Sequence, residues 1–111
     1  MNAKPETLNI LGIPHTVTYY NKPSDVDSNG KESLWGEIDY WKRTIRIYDN
    51  KSNINDIWEC IIHELLHSIG HIMHLDFLKD CKDDDLDLLA LALTDFLFRN
   101  GLIKLENEET V

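Results

Sequence analysis

The strongest constraint on this chain is the stretch 61–67, which reads Ile-Ile-His-Glu-Leu-Leu-His and contains a His-Glu-x-x-His motif. Each residue of an α-helix turns by about 100°, so His63 and His67 would lie about 40° apart on one helix face. Two imidazoles in this arrangement can bind one metal ion, and Glu64 on the same turn can take a proton from water at that ion. The stretch therefore predicts a largely buried helix that carries two metal ligands and a catalytic base.

Length and charge limit the classes of function. The 111 residues suffice for one domain, which we expect to span 1–105, followed by a disordered tail at 106–111. The chain has 11 Lys and Arg against 20 Asp and Glu, a formal charge of −9, which argues against binding nucleic acid. No apolar run is long enough to cross a bilayer, and the N-terminal residues lack the features of a signal peptide. We therefore expect a cytoplasmic protein with no nucleic-acid or membrane partner and with reduced cysteines.

Alternating residues and turn formers predict two β-hairpins before the helix. The first covers residues 7–20, with a break at 12–14, and the second covers 34–48, with its turn at 41–42. In the last strand Ile45 and Ile47 should face the core together. His15 follows a proline, and we expect it to be an exposed turn residue.

Two helices should follow the hairpins. The first runs from about residue 54 to at least Ile69, and we expect it to weaken or end at Gly70. Either the helix ends there beside the metal, or His71 and His74 lie in the site or at its rim. The second helix covers residues 83–99. Its predicted apolar stripe contains Leu86, Leu89, Ala90, Leu93, Phe96 and Leu97.

A catalytic zinc ion usually has three protein ligands, so the chain must supply one more donor. A third histidine six residues after His67 would complete one known pattern, but that position is Met73. A carboxylate from the second helix is the other source, and Asp87 is best placed to face inward because it lies beside Leu86 and Ala90. Asp84 is the second choice. The alternatives left open are Asp84, Asp83, His71 and His74.

These features resemble the short zincin-like domains of phages and prophages, which are related to the ImmA/IrrE metallopeptidases. The similarity covers roughly residues 34–100. It is carried by Gly36-Glu37-Ile38-Asp39, Ile45-x-Ile47, His63-Glu64-Leu65-Leu66-His67 and Asp87-Leu-Leu-Ala90-Leu-Ala-Leu. In that family a glutamate three residues before the alanine is the third zinc ligand, which implies Asp87 here, with aspartate in place of glutamate. The resemblance also implies zinc as the cofactor and Glu64 as the general base.

The sequence thus predicts an α+β, minimal zincin-like domain, with a small antiparallel sheet packed on two main helices. We expect a zinc-dependent metallopeptidase that uses Glu64 as general base on a peptide or protein substrate, with zinc held by His63, His67 and Asp87. Residues 36–40, at a sheet edge, can align an extended peptide by strand addition. The alternative is a non-catalytic, metal-stabilised module that binds a host or phage protein, since a fold alone does not fix a function.

Overall fold

The computed structural model describes residues 4–49 and 53–103, so the predicted tail at 106–111 lies outside the described residues. Strands and helices alternate little along the chain, and the sheet packs on the longest helix, which confirms a mixed α+β fold. The strands are β1 (Thr7–Ile10), β2 (Ile13–Tyr20), β3 (Gly36–Asp39) and β4 (Thr44–Tyr48). The helices are α1 (Pro23–Val26), α2 (Ile54–Met73), α3 (Asp76–Lys79) and α4 (Asp83–Arg99).

The four strands form one sheet in the order β1-β2-β4-β3. Both predicted hairpins are present, because β1 pairs antiparallel with β2, and β3 pairs antiparallel with β4. However, β2 and β4 are parallel neighbours, so the prediction of a purely antiparallel sheet is wrong. Periodicity identifies strands but not their neighbours. The 21–35 connection instead crosses the sheet, where Arg46 of β4 donates to the backbone carbonyls of Asp25 and Val26.

The main core lies between the sheet and α2. Ile45 and Ile47 point inward together, as the alternation predicts, and are fully buried. They meet Ile57 and Ile61, which are four residues apart on one face of α2. This packing fixes the helix that carries the His-Glu-x-x-His motif against the sheet.

His15 is buried, with 2% of its surface exposed, so its predicted place in an exposed turn is wrong. It lies on the inward side of β2 with Val17, two residues on. Its Nδ1 is 2.9 Å from the carbonyl oxygen of Ile13, and its Nε2 is 3.4 Å from Ser68 Oγ on α2. Both ring nitrogens therefore have partners, and the residue links sheet and helix.

Helix α2 passes through Gly70 and ends at Met73, so the prediction that Gly70 ends the helix is wrong. His74 closes the helix in the left-handed conformation (φ 55°), and its backbone N–H donates to the carbonyl of Gly70. Gly70 is required for a different reason, which is the close approach of α3. A Cβ atom at this position would lie 2.8 Å from Leu78 Cβ and 3.1 Å from the backbone nitrogen of Lys79.

Gly70→Ala should therefore destabilise the protein by about 1–2 kcal/mol, although alanine favours helix by up to about 1 kcal/mol. The reason is that α3 must move away from α2 to admit the methyl group. Urea denaturation measures the effect, with Met73→Ala on the exposed side of the same helix as the control. A Gly70→Ala protein more stable than the wild type would show that helix propensity outweighs the contact.

Helix α4 packs on α2 through Leu86 and Ala90. Thr94 of α4 is also buried, and its hydroxyl donates to the Ala90 carbonyl at 2.7 Å. The predicted apolar stripe is therefore only partly right, since three of its large members face solvent to a substantial degree, whereas Leu97 packs against the core. Those exposed members are Leu89, Leu93 and Phe96. Within the described residues, no helix combines the length and apolar character needed to cross a membrane.

Candidate metal centre

Three donor atoms from α2 and α4 meet at one point of the structure. His63 Nε2 and His67 Nε2 are 3.1 Å apart, and Asp83 Oδ1 lies 3.4 Å from the first and 3.3 Å from the second. A tetrahedral zinc ion with ligands at 2.0–2.1 Å requires neighbouring ligand atoms about 3.3–3.4 Å apart. The observed triangle therefore matches one face of a tetrahedral zinc site within about 0.3 Å.

The chemistry of these donors also fits a metal. His63 and His67 are one turn apart on α2, and their rings meet edge to face with centroids 4.8 Å apart. Burial, and then the neighbouring His63, hold the pKa of His67 below its usual value. A neutral imidazole keeps the lone pair that a metal needs. Two imidazole nitrogens and one carboxylate oxygen form a ligand set that zinc accepts.

Asp87 lies on the other side of His63, away from the three donors. Its Oδ1 is 2.7 Å from His63 Nδ1, although the pair is not aligned for a hydrogen bond. Nδ1 is buried and has no aligned hydrogen-bond partner within the described residues. A carboxylate behind the distal nitrogen of a metal-binding histidine typically orients the ring. The structure thus brings Asp83 to the two histidines and places Asp87 behind one of them, whereas the sequence favoured Asp87 as the ligand.

Glu64 is almost fully buried beside the donors, with 7% of its surface exposed. Burial raises the pKa of Glu64 to about 8, and the nearby charge of Asp83 raises it next. Strand β3 passes directly over this side chain. A Cβ atom on Gly36 would lie 3.0 Å from Glu64 Oε2, so glycine gives the carboxylate its space. The predicted base therefore lies between the candidate metal ligands and the edge strand.

A groove runs alongside this cluster. One cavity of about 180 Å³ includes His63, Glu64 and Asp83 in its lining. A second cavity of about 350 Å³ is lined by Asp56 and by residues that also line the first. The residues shared by the two cavities are Trp35, Glu59, Cys60 and Asp87. The two cavities therefore adjoin each other beside the donors.

The groove is strongly negative. Burial raises the pKa of Glu59, and the adjacent charges of Asp56 and Asp87 raise it further. Burial, followed by the charge of Glu64, raises the pKa of the Cys60 thiol to about 12. Cys60 is therefore a neutral thiol at physiological pH and is poorly suited to act as a nucleophile.

The downstream histidines lie outside the donor cluster. The ring of His71 stacks on Tyr40, with centroids 4.2 Å apart and planes at 15°, and His74 caps the end of α2. Asp84 is likewise absent from the cluster among the described residues. Sequence reasoning missed the groove. The signal was the spacing of Asp56, Glu59 and His63, which lie three and four residues apart on one helix face.

The chain matches no family model, and no curated protein or solved structure shows significant similarity to it. The resemblance to phage and prophage zincin-like domains therefore stays a prediction.

Proposed function

We propose that this protein is a zinc-dependent peptidase in which His63, His67 and Asp83 hold the metal. The observation that carries the proposal is the triangle of donor atoms, whose edges of 3.1–3.4 Å suit a tetrahedral ion. Three protein donors leave a fourth position free for water or substrate, as catalytic zinc sites require. Asp87 holds the ring of His63 from behind.

The side chains around the donors provide the remaining parts of a hydrolytic site. Zinc held there would supply a Lewis acid that polarises the substrate carbonyl and lowers the pKa of water towards about 7. As the water oxygen bonds to the carbonyl carbon, the Glu64 carboxylate accepts a water proton. It then transfers that proton to the leaving nitrogen as the C–N bond breaks. The raised pKa of Glu64 belongs to the metal-free protein, and a nearby cation lowers it towards the ionised form that a base needs.

Strand β3 offers a place for the substrate backbone. It is the last strand of the sheet, paired on one side with β4, and Gly36 brings its backbone close to Glu64. An extended peptide that adds to this edge would pass the carboxylate and enter the groove. The sheet edge and the groove together favour a peptide substrate over a small hydrolysable molecule.

A non-catalytic, metal-stabilised binding module is the second candidate. The observation in its favour is the apolar surface at α3 and α4, where large side chains are more than half exposed. These residues are Phe77, Leu88, Leu91 and Phe96. A protein partner would cover such a surface whether or not the metal site performs chemistry.

Cleavage of a peptide library, followed by mass spectrometry, separates the two candidates. We expect the zinc-loaded protein to cleave peptides and a chelator to reduce the rate by more than about 100-fold, with one equivalent of zinc restoring it. Under the second candidate the protein binds one zinc ion and loses stability on chelation, but cleaves nothing at any zinc concentration.

A further inference from the structure

We propose that the groove beside the candidate metal centre binds a lysine or arginine side chain of the substrate, on a residue next to the cleaved bond. The inference rests on the proposed function, because the groove adjoins the cavity of the reactive groups and shares four lining residues with it. Its walls come from α2, from α4 and from the residue before β3. The residues that form them are Asp56, Glu59, Cys60, Asp87 and Trp35.

Two carboxylates of the groove have no cationic partner among the described residues. Asp83 and Asp87 are already engaged with the histidines. Asp56 and Glu59 are partly buried, three residues apart on α2, and no lysine or arginine in the described parts of the chain pairs with either. Partial burial of an ionised carboxylate raises the free energy of the folded protein unless a cation lies close to it. A positively charged side chain from a substrate would relieve that cost.

Glu64, in the adjoining cavity, provides a second indication that a ligand enters this part of the structure. It is more than nine-tenths buried, it lines the cavity that joins the groove, and no residue in 4–49 or 53–103 forms a hydrogen bond with its carboxylate. A buried acceptor of this kind normally has a partner. A substrate that reaches Glu64 would therefore lie beside the groove that contains Asp56 and Glu59.

Trp35 makes the groove suitable for an organic cation in particular. Its side chain lines both cavities and is 54% exposed, while its ring edge is held against Tyr48, with centroids 5.4 Å apart at 85°. Its carbonyl also accepts a hydrogen bond from the Tyr48 N–H at 2.8 Å. A fixed indole beside carboxylates packs on the aliphatic stem of a lysine or arginine and attracts its charge. The volume of about 350 Å³ also exceeds what a single hydrated ion would fill.

Matched peptides that carry lysine, arginine, methionine or glutamate at one position, scanned along the sequence around the cleaved bond, test the proposal. With zinc-loaded protein, we expect kcat/KM at one position to be about 10- to 100-fold higher for lysine or arginine than for methionine, and lowest for glutamate. In D56N/E59Q the lysine-to-methionine ratio of kcat/KM should fall to within about threefold. The control E32Q/D85N changes the same charges at exposed residues outside the groove and should keep the ratio.

A second measurement separates failure of this inference from failure of the proposed function. Fluorescence anisotropy gives the affinity of labelled lysine and methionine peptides for zinc-loaded E64Q. Cleavage without a preference for lysine, or a preference that survives in D56N/E59Q, overturns the inference while the peptidase stands. If no peptide is cleaved, the proposed function fails. The affinities of the two peptides then decide whether the groove binds a lysine side chain. Lysine binding about tenfold tighter than methionine, and lost when D56N/E59Q is added, supports the groove, whereas equal binding overturns it.

Discussion

Asp83→Ala should weaken zinc binding by about 1000-fold, because it removes one of three protein ligands. Asp87→Ala should weaken it by only about 10- to 100-fold, since that side chain contacts the distal nitrogen of His63 and not the donor triangle. Competition against a chromophoric zinc chelator measures both affinities. Asp84→Ala, which removes the adjacent exposed carboxylate of α4, is the matched control and should change the affinity by less than about threefold.

The opposite order of effects would identify a different ligand. If Asp87→Ala costs far more zinc affinity than Asp83→Ala, the assignment made from the sequence is right and Asp83 lies at the rim. If His63→Ala and His67→Ala also leave zinc binding intact, the motif is not a metal site.

Glu64→Gln should lower the rate of peptide cleavage by about 100- to 10,000-fold while zinc stays bound. The amide has nearly the same shape as the carboxyl group but cannot accept the proton from water or transfer it to the leaving nitrogen. Single-turnover cleavage and zinc analysis of the same sample measure the two effects together. Cleavage at the wild-type rate would rule out Glu64 as the base.

The metal-free forms show whether the glutamine variant is intact. The ordinary pKa of a glutamate is 4.5, and burial raises the pKa of Glu64 to about 8 in the folded protein. Between these values the folded protein holds more protons than the unfolded chain, so the wild-type free energy of unfolding falls as pH rises from about 4.5 to 8. Glu64→Gln should lack this fall and be the more stable form at pH 8. Urea denaturation of the wild type and of Glu64→Gln at pH 5 and pH 8 measures these free energies of unfolding. A folded Glu64→Gln protein shows that its lost activity is not due to unfolding.

The sequence was sufficient to predict the part of the site that one helix determines. His63, Glu64 and His67 are placed by the geometry of a single turn, and their apolar neighbours predict a buried helix. The third donor depends instead on how two helices face each other. Asp83 and Asp87 are four residues apart on α4, so periodicity alone separates them poorly.

The rotation of α4 explains why this structure brings Asp83, and not Asp87, to the two histidines. The predicted stripe included Leu89, Leu93 and Phe96, which are exposed, and left out Thr94, which is buried with its hydroxyl bonded to Ala90. Asp83 precedes Leu86 by three residues and continues the line of buried residues toward α2. A threonine that satisfies its own hydroxyl within the helix looks polar in a sequence and packs as an apolar residue.

As with the site, the sequence predicted the local features of the fold but not the contacts between distant segments. The α+β class, both hairpins and the inward face of Ile45 and Ile47 follow from local patterns. The parallel pairing of β2 with β4 depends on the long 21–35 connection, whose path rests on the Arg46 contacts with the backbone of α1. Such distant pairs leave no periodic signal. The place of Trp35 in the groove was missed for the same reason, because Trp35 and Asp56 line one cavity only in the folded chain.

A crystal structure of the zinc-loaded protein tests the proposed site most directly. We expect one zinc ion bound by His63 Nε2, His67 Nε2 and Asp83 Oδ1 at about 2.0–2.2 Å, with a fourth ligand that does not come from the protein. A zinc ion held by four protein ligands, or one bound by Asp87 with Asp83 turned away, would contradict the open site on which the proposed peptidase depends.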